Sequence, residues 1–181
     1  MQSKNPSQED NLGFLKSHKV ESESFLLSSG DRILVSKYFL TFDLWQGLSI
    51  PNTYNGKTIL NWNNEPVFAE LAILRLFQSH GWNGVWVDSY RRKFRVGLPD
   101  VVDPISIPQE QDGLIKTIRI KTKRSGGCWD VFVWKDSQVL FIELKRKGKD
   151  RIQNSQNEWL EASLSSGLNI KNFLLVEWDI K

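Results

Sequence analysis

The chain has 181 residues, 40% of them hydrophobic, and a formal net charge of +3. This length and hydrophobic fraction predict one globular domain with an ordinary core, or one domain with an extension. The single cysteine excludes an internal disulfide framework and fits a reducing compartment. No signal-peptide core is visible, and no apolar run approaches the roughly 20 residues of a membrane helix. We therefore expect a cytoplasmic protein without membrane contact, with a nucleoid or nuclear location left open, whose mildly basic character permits a polyanionic partner.

The first 62 residues carry no readable chemistry. Residues 1–24 are rich in Ser, Gln, Asn, Lys and Glu, which predicts a flexible or peripherally attached N-terminal segment. Residues 25–62 contain extended-looking fragments broken by Gly30 and by the turn cluster at 49–56. We interpret 25–62 as an N-terminal elaboration and 63–181 as the functional domain.

The functional domain begins with helix and strand patterns. Residues 63–81 predict a helix, with Asn64 as its N-cap, Pro66 in the first turn and Gly81 at the C-terminal end. Residues 84–96 contain β-favouring side chains in partial alternation and predict a strand.

The second half of the domain adds further strands and one helix. Residues 98–113 hold three prolines and predict a loop, while TIRIKTKR, residues 117–124, alternates apolar with basic residues and predicts a strand. Residues 150–167 predict a helix that ends at Gly167, and residues 172–178 predict a buried strand. A strand–helix–strand unit needs a crossover connection, so the last two strands should be parallel. The fold class is therefore α/β, a mixed β-sheet flanked by helices.

Two carboxylates interrupt a predicted β-hairpin, CWDVFVWKDSQVLFIELKRKGKDR, residues 128–151. If Asp136-Ser137 forms the turn, Asp130 faces Glu143 across the two strands, where directly opposed side chains have Cβ atoms about 4.5–5.5 Å apart. Lys145 shares the face of Glu143, because side chains two apart in a strand point the same way. Opposed carboxylates repel each other unless a cation intervenes, and hard divalent ions bind carboxylate oxygens. The hairpin therefore predicts a metal site.

Two helices add polar groups to this hairpin. Helical spacing places Glu70 on the apolar stripe of the first helix, which should pack on the sheet. The same construction turns Gln156 inward on the second helix, where its amide can donate and accept hydrogen bonds near the carboxylates. Each feature alone is common in purely structural settings, and only their combination favours a catalytic interpretation.

The combined pattern resembles a known family. Asp130, then Glu143-Leu144-Lys145, then the Gln-x-x-Trp-Leu run from Gln156, then an apolar strand, is similar to the PD-(D/E)xK nuclease superfamily and most similar to its VRR-NUC domains. The similarity spans residues 65–178 and is densest from 127 to 178. It implies a restriction-endonuclease-like core with the element order αβββαβ, and a nuclease that hydrolyses DNA phosphodiester bonds.

The resemblance also implies roles for single residues. Asp130 and Glu143 match the acids that hold Mg²⁺ or Mn²⁺, and Glu70 matches the helix glutamate that often adds a metal or water contact. Lys145 matches the lysine that positions or activates the attacking water, and Gln156 matches the glutamine near the metal. Trp129 stands where the motif has proline. The Pro-Asp pair at 99–100 is interpreted as a coincidence within the proline-rich loop.

Basic residues indicate where DNA phosphates would bind. The first cluster directly continues the catalytic strand and consists of Lys145, Arg146, Lys147, Lys149 and Arg151. Two further clusters are Arg91, Arg92, Lys93 and Arg95, and Lys121, Lys123 and Arg124. Charge runs of this kind are usually solvated surface, so we favour a DNA-binding role for the first cluster and name Arg91 and Arg92 as further candidates.

Other functions stay open at this stage. One is a catalytically silent nucleic-acid-binding module with the nuclease fold, and another is a subunit whose N-terminal 60 residues dock a partner protein. The sequence does not distinguish endonuclease from exonuclease, branched or flapped DNA from other substrates, or DNA from RNA. Repair, junction resolution and phage or defence roles are equally compatible with it. Homodimerisation follows only from the resemblance.

Overall fold

The computed structural model describes residues 11–50, 56–98, 105–122 and 126–181. These residues form a mixed α/β architecture with one nine-stranded sheet. The strands are β1 (Lys19–Leu26), β2 (Arg32–Leu44), β3 (Leu60–Trp62), β4 (Glu65–Val67), β5 (Asn83–Asp88), β6 (Lys93–Arg95), β7 (Val131–Lys135), β8 (Gln138–Arg146) and β9 (Phe173–Ile180). The helices are α1 (Ala69–Ser79), α2 (Gln109–Thr122) and α3 (Asn154–Ser165), with short 3₁₀ helices at Gly13–His18 and Ile170–Asn172. None of these helices is both long and apolar enough to span a bilayer.

The sheet order is β4-β3-β2-β9-β8-β7-β5-β6, with β1 also paired to β2. The pairs β2–β9 and β8–β9 are parallel, and the others are antiparallel. The predicted parallel crossover from β8 through α3 to β9 is confirmed by the register, in which Glu143 lies beside Leu175. The coarse prediction of an α/β fold with a mixed sheet is likewise confirmed.

The two faces of the sheet carry separate hydrophobic cores. On one face α1 packs through Leu74 and Phe77 against Val133 and Leu140 of the central hairpin. On the other face α2 and α3 cover the alternate residues of the same strands, and Trp159 is fully buried beside Phe141. Because side chains alternate between faces, the central strands are apolar on both sides and read as continuous hydrophobic runs.

The predicted hairpin register is confirmed between β7 and β8. Phe132 pairs with Phe141 and Trp134 with Val139, and the turn lies at Asp136-Ser137. Asp136 adopts a positive φ of 51°, a left-handed conformation that Asp tolerates because its short side chain can hydrogen-bond locally.

The N-terminal predictions need correction. Residues 11–24 are not a loose segment, because they form the 3₁₀ helix and most of β1, which pairs with β2 from Lys19–Tyr38 to Leu26–Arg32. Leu15 is almost fully buried. Residues 25–62 are more than an elaboration, since β2 runs parallel to β9 as a central strand of the sheet. Residues 1–10 lie outside the described range.

The predicted first helix starts later than expected. The chain has a tight turn at Asn63 and Asn64, both at positive φ, and Pro66 lies in the short strand β4 rather than in a helical turn. Helix α1 therefore begins at Ala69, not at Asn64. Its predicted end is confirmed, because Gly81 has a φ of +79° just beyond the helix.

The strand prediction for residues 117–124 is wrong. Residues 117–122 form the end of α2, which begins at Gln109 and so also replaces part of the predicted loop at 98–113. Ile115 and Ile118 are buried three residues apart on one side of the helix, whereas Ile120 is 77% exposed. Residues 84–96 form two strands, β5 and β6, rather than one. The Pro-Asp pair at 99–100 and residues 123–124 lie outside the described range.

Candidate functional site

Asp130 lies at one end of the central strands of the sheet, where β5 and β8 end and β7 begins. Its main-chain oxygen accepts a hydrogen bond of 2.8 Å from the Val87 N–H at the end of β5. Its Oδ2 accepts a 2.9 Å hydrogen bond from the Leu144 N–H of β8. The last pair of the antiparallel β7–β8 ladder on this side is Val131 with Ile142. Asp130 therefore lies in a bend just outside the ladder, and not in a regular pair opposite Glu143 as the sequence predicts. Strand β5 therefore fixes the main chain of Asp130, and strand β8 fixes its carboxylate.

Glu143 is the buried centre of the site, with 2% of its surface exposed. Its Oε1 accepts a hydrogen bond of 2.9 Å from Lys145 Nζ and another from the Gln156 side-chain amide. Its Oε2 is buried and has no hydrogen-bond partner. A buried carboxylate oxygen without a partner is destabilising, because burial removes the water that would otherwise solvate it. The predicted convergence of Glu143, Lys145 and Gln156 is observed.

The electrostatics of the site raise the pKa of both carboxyls. Burial, reinforced by the negative charge of Glu70, raises the pKa of Asp130 to about 6, although the Leu144 N–H, Lys57 and Lys145 oppose the shift. Burial and the charge of Asp130 also raise the pKa of Glu143 well above its ordinary range, even with Lys145 bound to it. A further positive charge between the carboxylates would stabilise both in their ionised forms.

The N-terminal end of α3 holds Gln156 in place. The Gln156 side-chain oxygen accepts a 2.8 Å hydrogen bond from the Gln153 N–H, so its amide nitrogen is left to donate to Glu143. The Trp129 indole N–H donates to the Gln156 carbonyl at 3.3 Å. Gly127 permits this packing, because a Cβ on it would lie 2.7 Å from the Ser155 main-chain oxygen and its φ is +94°. Helix α3 and the segment before Asp130 thus support each other.

Glu70 lies near Asp130 but is not free. It forms an ion pair with Lys57, which precedes β3 and also has its ammonium 5.0 Å from the Phe68 ring centroid. Sequence analysis missed Lys57 because it stands in a polar turn without a motif, and its partner lies 13 residues away in a different element. The predicted third metal ligand therefore has a competing cation.

A cleft of about 310 Å³ opens beside these residues. It is lined by both signs of charge, with Glu70, Asp130 and Asp150 on the one hand and Lys57, Arg146 and Lys149 on the other. A smaller cleft of about 240 Å³ is lined by Lys145 and Arg151, and Asp150 lines both. Of the residues next to Glu143 on β8, Leu144 lines the larger cleft, and Lys145, which is bound to Glu143, lines the smaller one.

The first basic cluster is only partly available for phosphates. Lys145 is 9% exposed and bound to Glu143. Arg146 donates to Thr58 Oγ1 at 3.0 Å and lies over Trp178, but its buried Nε has no hydrogen-bond partner. Lys147 lies 4.8 Å from the Phe39 ring centroid, while Lys149 and Arg151 border the two clefts.

The second basic cluster divides between surface and interior. Arg91 and Arg92 lie in the turn between β5 and β6, and Arg92 adopts a positive φ of 56°. Arg95 does not belong with them, because it is 5% exposed and pairs with the buried Asp88 at 3.1 Å. In the third cluster, Lys121 donates to the Ser165 carbonyl of α3.

The donor set fits a divalent cation held by two carboxylates. Within the described ranges, no group of three or more His, Cys, Asp or Glu is arranged as a metal site. Asp130 and Glu143 nevertheless supply oxygen ligands of the kind that Mg²⁺ and Mn²⁺ take, and the unpartnered Oε2 of Glu143 needs a positive neighbour. The raised pKa values of Asp130 and Glu143 both reflect too little positive charge around the two carboxylates.

Comparisons with known proteins add no relative. A scan against protein-family models and searches of curated proteins and of solved structures each returned no match. The interpretation of the site rests on its residues and on their geometry.

Lys57→Ala is expected to strengthen Mn²⁺ binding about tenfold at neutral pH. The ammonium of Lys57 neutralises Glu70, and its removal leaves a carboxylate that can attract the metal; two unit charges about 4 Å apart interact by about 1–4 kcal/mol between bulk water and a protein surface. Isothermal titration measures the affinity. Lys181→Ala is the matched control, because Lys181 pairs with Asp43 at 2.9 Å elsewhere on the surface. Unchanged or weaker binding by Lys57→Ala would contradict competition between Lys57 and a metal.

Proposed function

We propose that this protein is a divalent-metal-dependent nuclease of the PD-(D/E)xK type, similar to VRR-NUC domains, that hydrolyses DNA phosphodiester bonds. The observation that carries the proposal is the convergence of Asp130 and Glu143 at one sheet edge, with Lys145 and Gln156 both bound to Glu143. A structural ion pair would not require a buried glutamate with one unpartnered oxygen beside a second carboxyl whose pKa is also raised.

The element order supports the family assignment. Helix α1, strands β5, β7 and β8, helix α3 and strand β9 follow one another in the order αβββαβ that the resemblance implies, with β6 and α2 inserted between β5 and β7. Asp130 precedes the second of these three strands, and Glu143-Leu144-Lys145 lies near the end of the third.

Individual residues of the chain have separate roles in the proposed hydrolysis. A Mg²⁺ or Mn²⁺ ion held by Asp130 and Glu143 would polarise the phosphate and lower the pKa of a bound water. Lys145, kept 2.9 Å from Glu143 Oε1, offsets the negative charge that develops on the phosphate and orients the attacking water. Gln156 and the Leu144 N–H fix the orientation of the two carboxylates. Arg146 and Lys149 line the neighbouring cleft and neutralise flanking phosphates.

The test is cleavage of plasmid, nicked, flapped and four-way DNA with Mg²⁺, Mn²⁺ or EDTA. Wild type should cut with either metal and not with EDTA. Lys145→Ala should lose about 100-fold or more in rate, the effect of removing one preorganised positive donor. Lys135→Ala is the matched control, because Lys135 is a lysine of the same hairpin that donates to the His80 carbonyl at 3.1 Å. Metal-independent cleavage, or equal rates for both variants, would refute the proposal.

The ion pair between Lys57 and Glu70 favours one alternative, a nucleic-acid-binding module without turnover. In that case the ammonium of Lys57 permanently supplies the positive charge that a metal ion would bring to Glu70. Calorimetry with Mn²⁺ discriminates the two functions, since a silent module should bind DNA without binding metal. RNA included in the same cleavage panel decides the nucleic-acid class.

A further inference from the structure

An exposed aromatic side chain lies next to the candidate site. Tyr90, in the turn between β5 and β6, is 87% exposed. The other large apolar side chains that are exposed in the described part of the chain are aliphatic. The Arg91 guanidinium lies 5.6 Å from its ring centroid. Tyrosine is usually at least partly buried, so such exposure in an ordered turn suggests a surface that is covered by a partner.

The base of this turn is rigid. Asp88, 3% exposed, pairs with Arg95 at 3.1 Å and accepts a 3.1 Å hydrogen bond from the Arg91 N–H. The Trp86 indole N–H donates to the Gly97 carbonyl at 2.9 Å, which ties β5 to the chain after β6. A buried ion pair with satisfied hydrogen bonds holds the turn in one geometry, so Tyr90 is presented in a fixed direction rather than on a loose loop.

The turn projects from the edge of the sheet that holds the carboxylates. The Val87 N–H donates to the main-chain oxygen of Asp130 at 2.8 Å. Tyr90 follows three residues later, and a chain of this length spans at most about 11 Å. The main chain of Tyr90 is therefore close enough to Asp130 for neighbouring nucleotides of one strand to reach both.

The charges of the turn select a polyanion. Arg91, Arg92 and Lys93 follow Tyr90 directly. The one acid of the turn, Asp88, is buried and pairs with Arg95 at 3.1 Å and with Arg91 at 3.7 Å. An aromatic ring beside successive cations suits an unpaired base, because the ring stacks on the base while the cations contact its phosphates. Bases inside a duplex are already stacked and offer no free face.

We propose that Tyr90 stacks on an unpaired base beside the scissile phosphate, so that the substrate is DNA with a single-stranded tail, flap or fork at the cleavage point. This inference rests on the proposed nuclease function where it treats the DNA as a substrate. The binding of the unpaired base by Tyr90 requires neither metal nor turnover. Arg92 contacts the backbone of the same strand.

The test measures binding in EDTA, where no cleavage occurs, by fluorescence anisotropy with a blunt duplex and with the same duplex carrying a single-stranded tail. Tyr90→Ala should weaken binding of the tailed duplex about tenfold, the loss of one stacked base, and change binding of the blunt duplex less than about twofold. Tyr90→Phe should retain both affinities. Ile120→Ala is the matched control, because Ile120 is 77% exposed on α2 and is not among the residues that line either cleft.

A fluorescent base analogue at the first unpaired position provides a direct readout. Its emission should be quenched by wild type and by Tyr90→Phe, but not by Tyr90→Ala. Equal losses on both DNAs, or none, would overturn the stacking inference. A wild-type protein that shows the tail preference but cuts nothing would refute the nuclease alone, and one that cuts without any dependence on Tyr90 would refute the stacking alone.

Discussion

Asp130→Asn and Glu143→Gln should each lower metal-dependent DNA cleavage by at least about 1,000-fold. The amides keep the shape of the side chains but remove the charge that holds the cation, which supplies several kcal/mol of transition-state stabilisation. Asn at position 130 can still accept the Leu144 N–H, and Gln at 143 can still accept from Gln156, so the local structure should persist. Calorimetry should show the loss of Mn²⁺ binding in parallel with the loss of rate.

Asp136→Asn is the matched control for these variants. Asp136 belongs to the same hairpin but lies in its turn at a φ of 51°, a conformation that Asn also adopts readily. This control should retain cleavage within about twofold. If Asp130→Asn were to cut DNA at a rate near that of Asp136→Asn, the carboxylate pair would not be the metal site.

The metal-free protein should become less stable as pH rises. The pKa of Asp130 goes from an ordinary value of 3.8 to about 6 on folding, so the folded state binds the proton more tightly than the unfolded state. The resulting stabilisation is fully present below pH 3.8 and is lost as pH rises through about 6. One carboxyl with this shift accounts for about 3 kcal/mol of the free energy of unfolding. The raised pKa of Glu143 acts in the same direction.

Urea unfolding in EDTA from about pH 4 to about pH 7, for wild type and Asp130→Asn, isolates this contribution. The wild-type free energy of unfolding should fall relative to that of the variant by about 2 kcal/mol over this range, because Asn carries no proton to lose and part of the full effect is already gone at pH 4. At neutral pH the metal-free variant should therefore be the more stable protein, and Mn²⁺ should stabilise wild type alone. A pH-independent difference between the unfolding free energies of the two proteins would show that folding does not raise the pKa of Asp130.

The sequence was sufficient to predict the central hairpin and the residues around it. Asp136-Ser137 fixed the turn, and the alternation on either side of it left one register that buries Phe132 and Phe141 together. The expected proximity of Glu143, Lys145 and Gln156 is observed, because the periodicity of a strand or a helix determines locally which side chains share a face. Asp130 deviated, since the end of a ladder can bend to form hydrogen bonds that no periodicity specifies.

The errors arose where two local signals competed. Residues 117–124 alternate like a strand, yet burial of Ile115 and Ile118 three apart satisfies a helix equally well, and packing against α3 decides between them. Asn64 has the chemistry of a helix cap and also that of a left-handed turn, and here the turn between β3 and β4 prevails. Lys57 could not be predicted, because its pairing with Glu70 depends on how the N-terminal strands join the sheet.

The parallel pairing of β2 with β9 constrains any attempt to isolate the nuclease-like portion. Phe39 and Glu177 lie side by side in this pairing, and β9 is held on its other flank by β8. A fragment that begins at residue 63 would leave a row of unsatisfied main-chain donors and acceptors along β9, which invites strand exchange with a second copy and precipitation. The portion that carries the family resemblance therefore depends on the N-terminal strands for its solubility as well as for its shape.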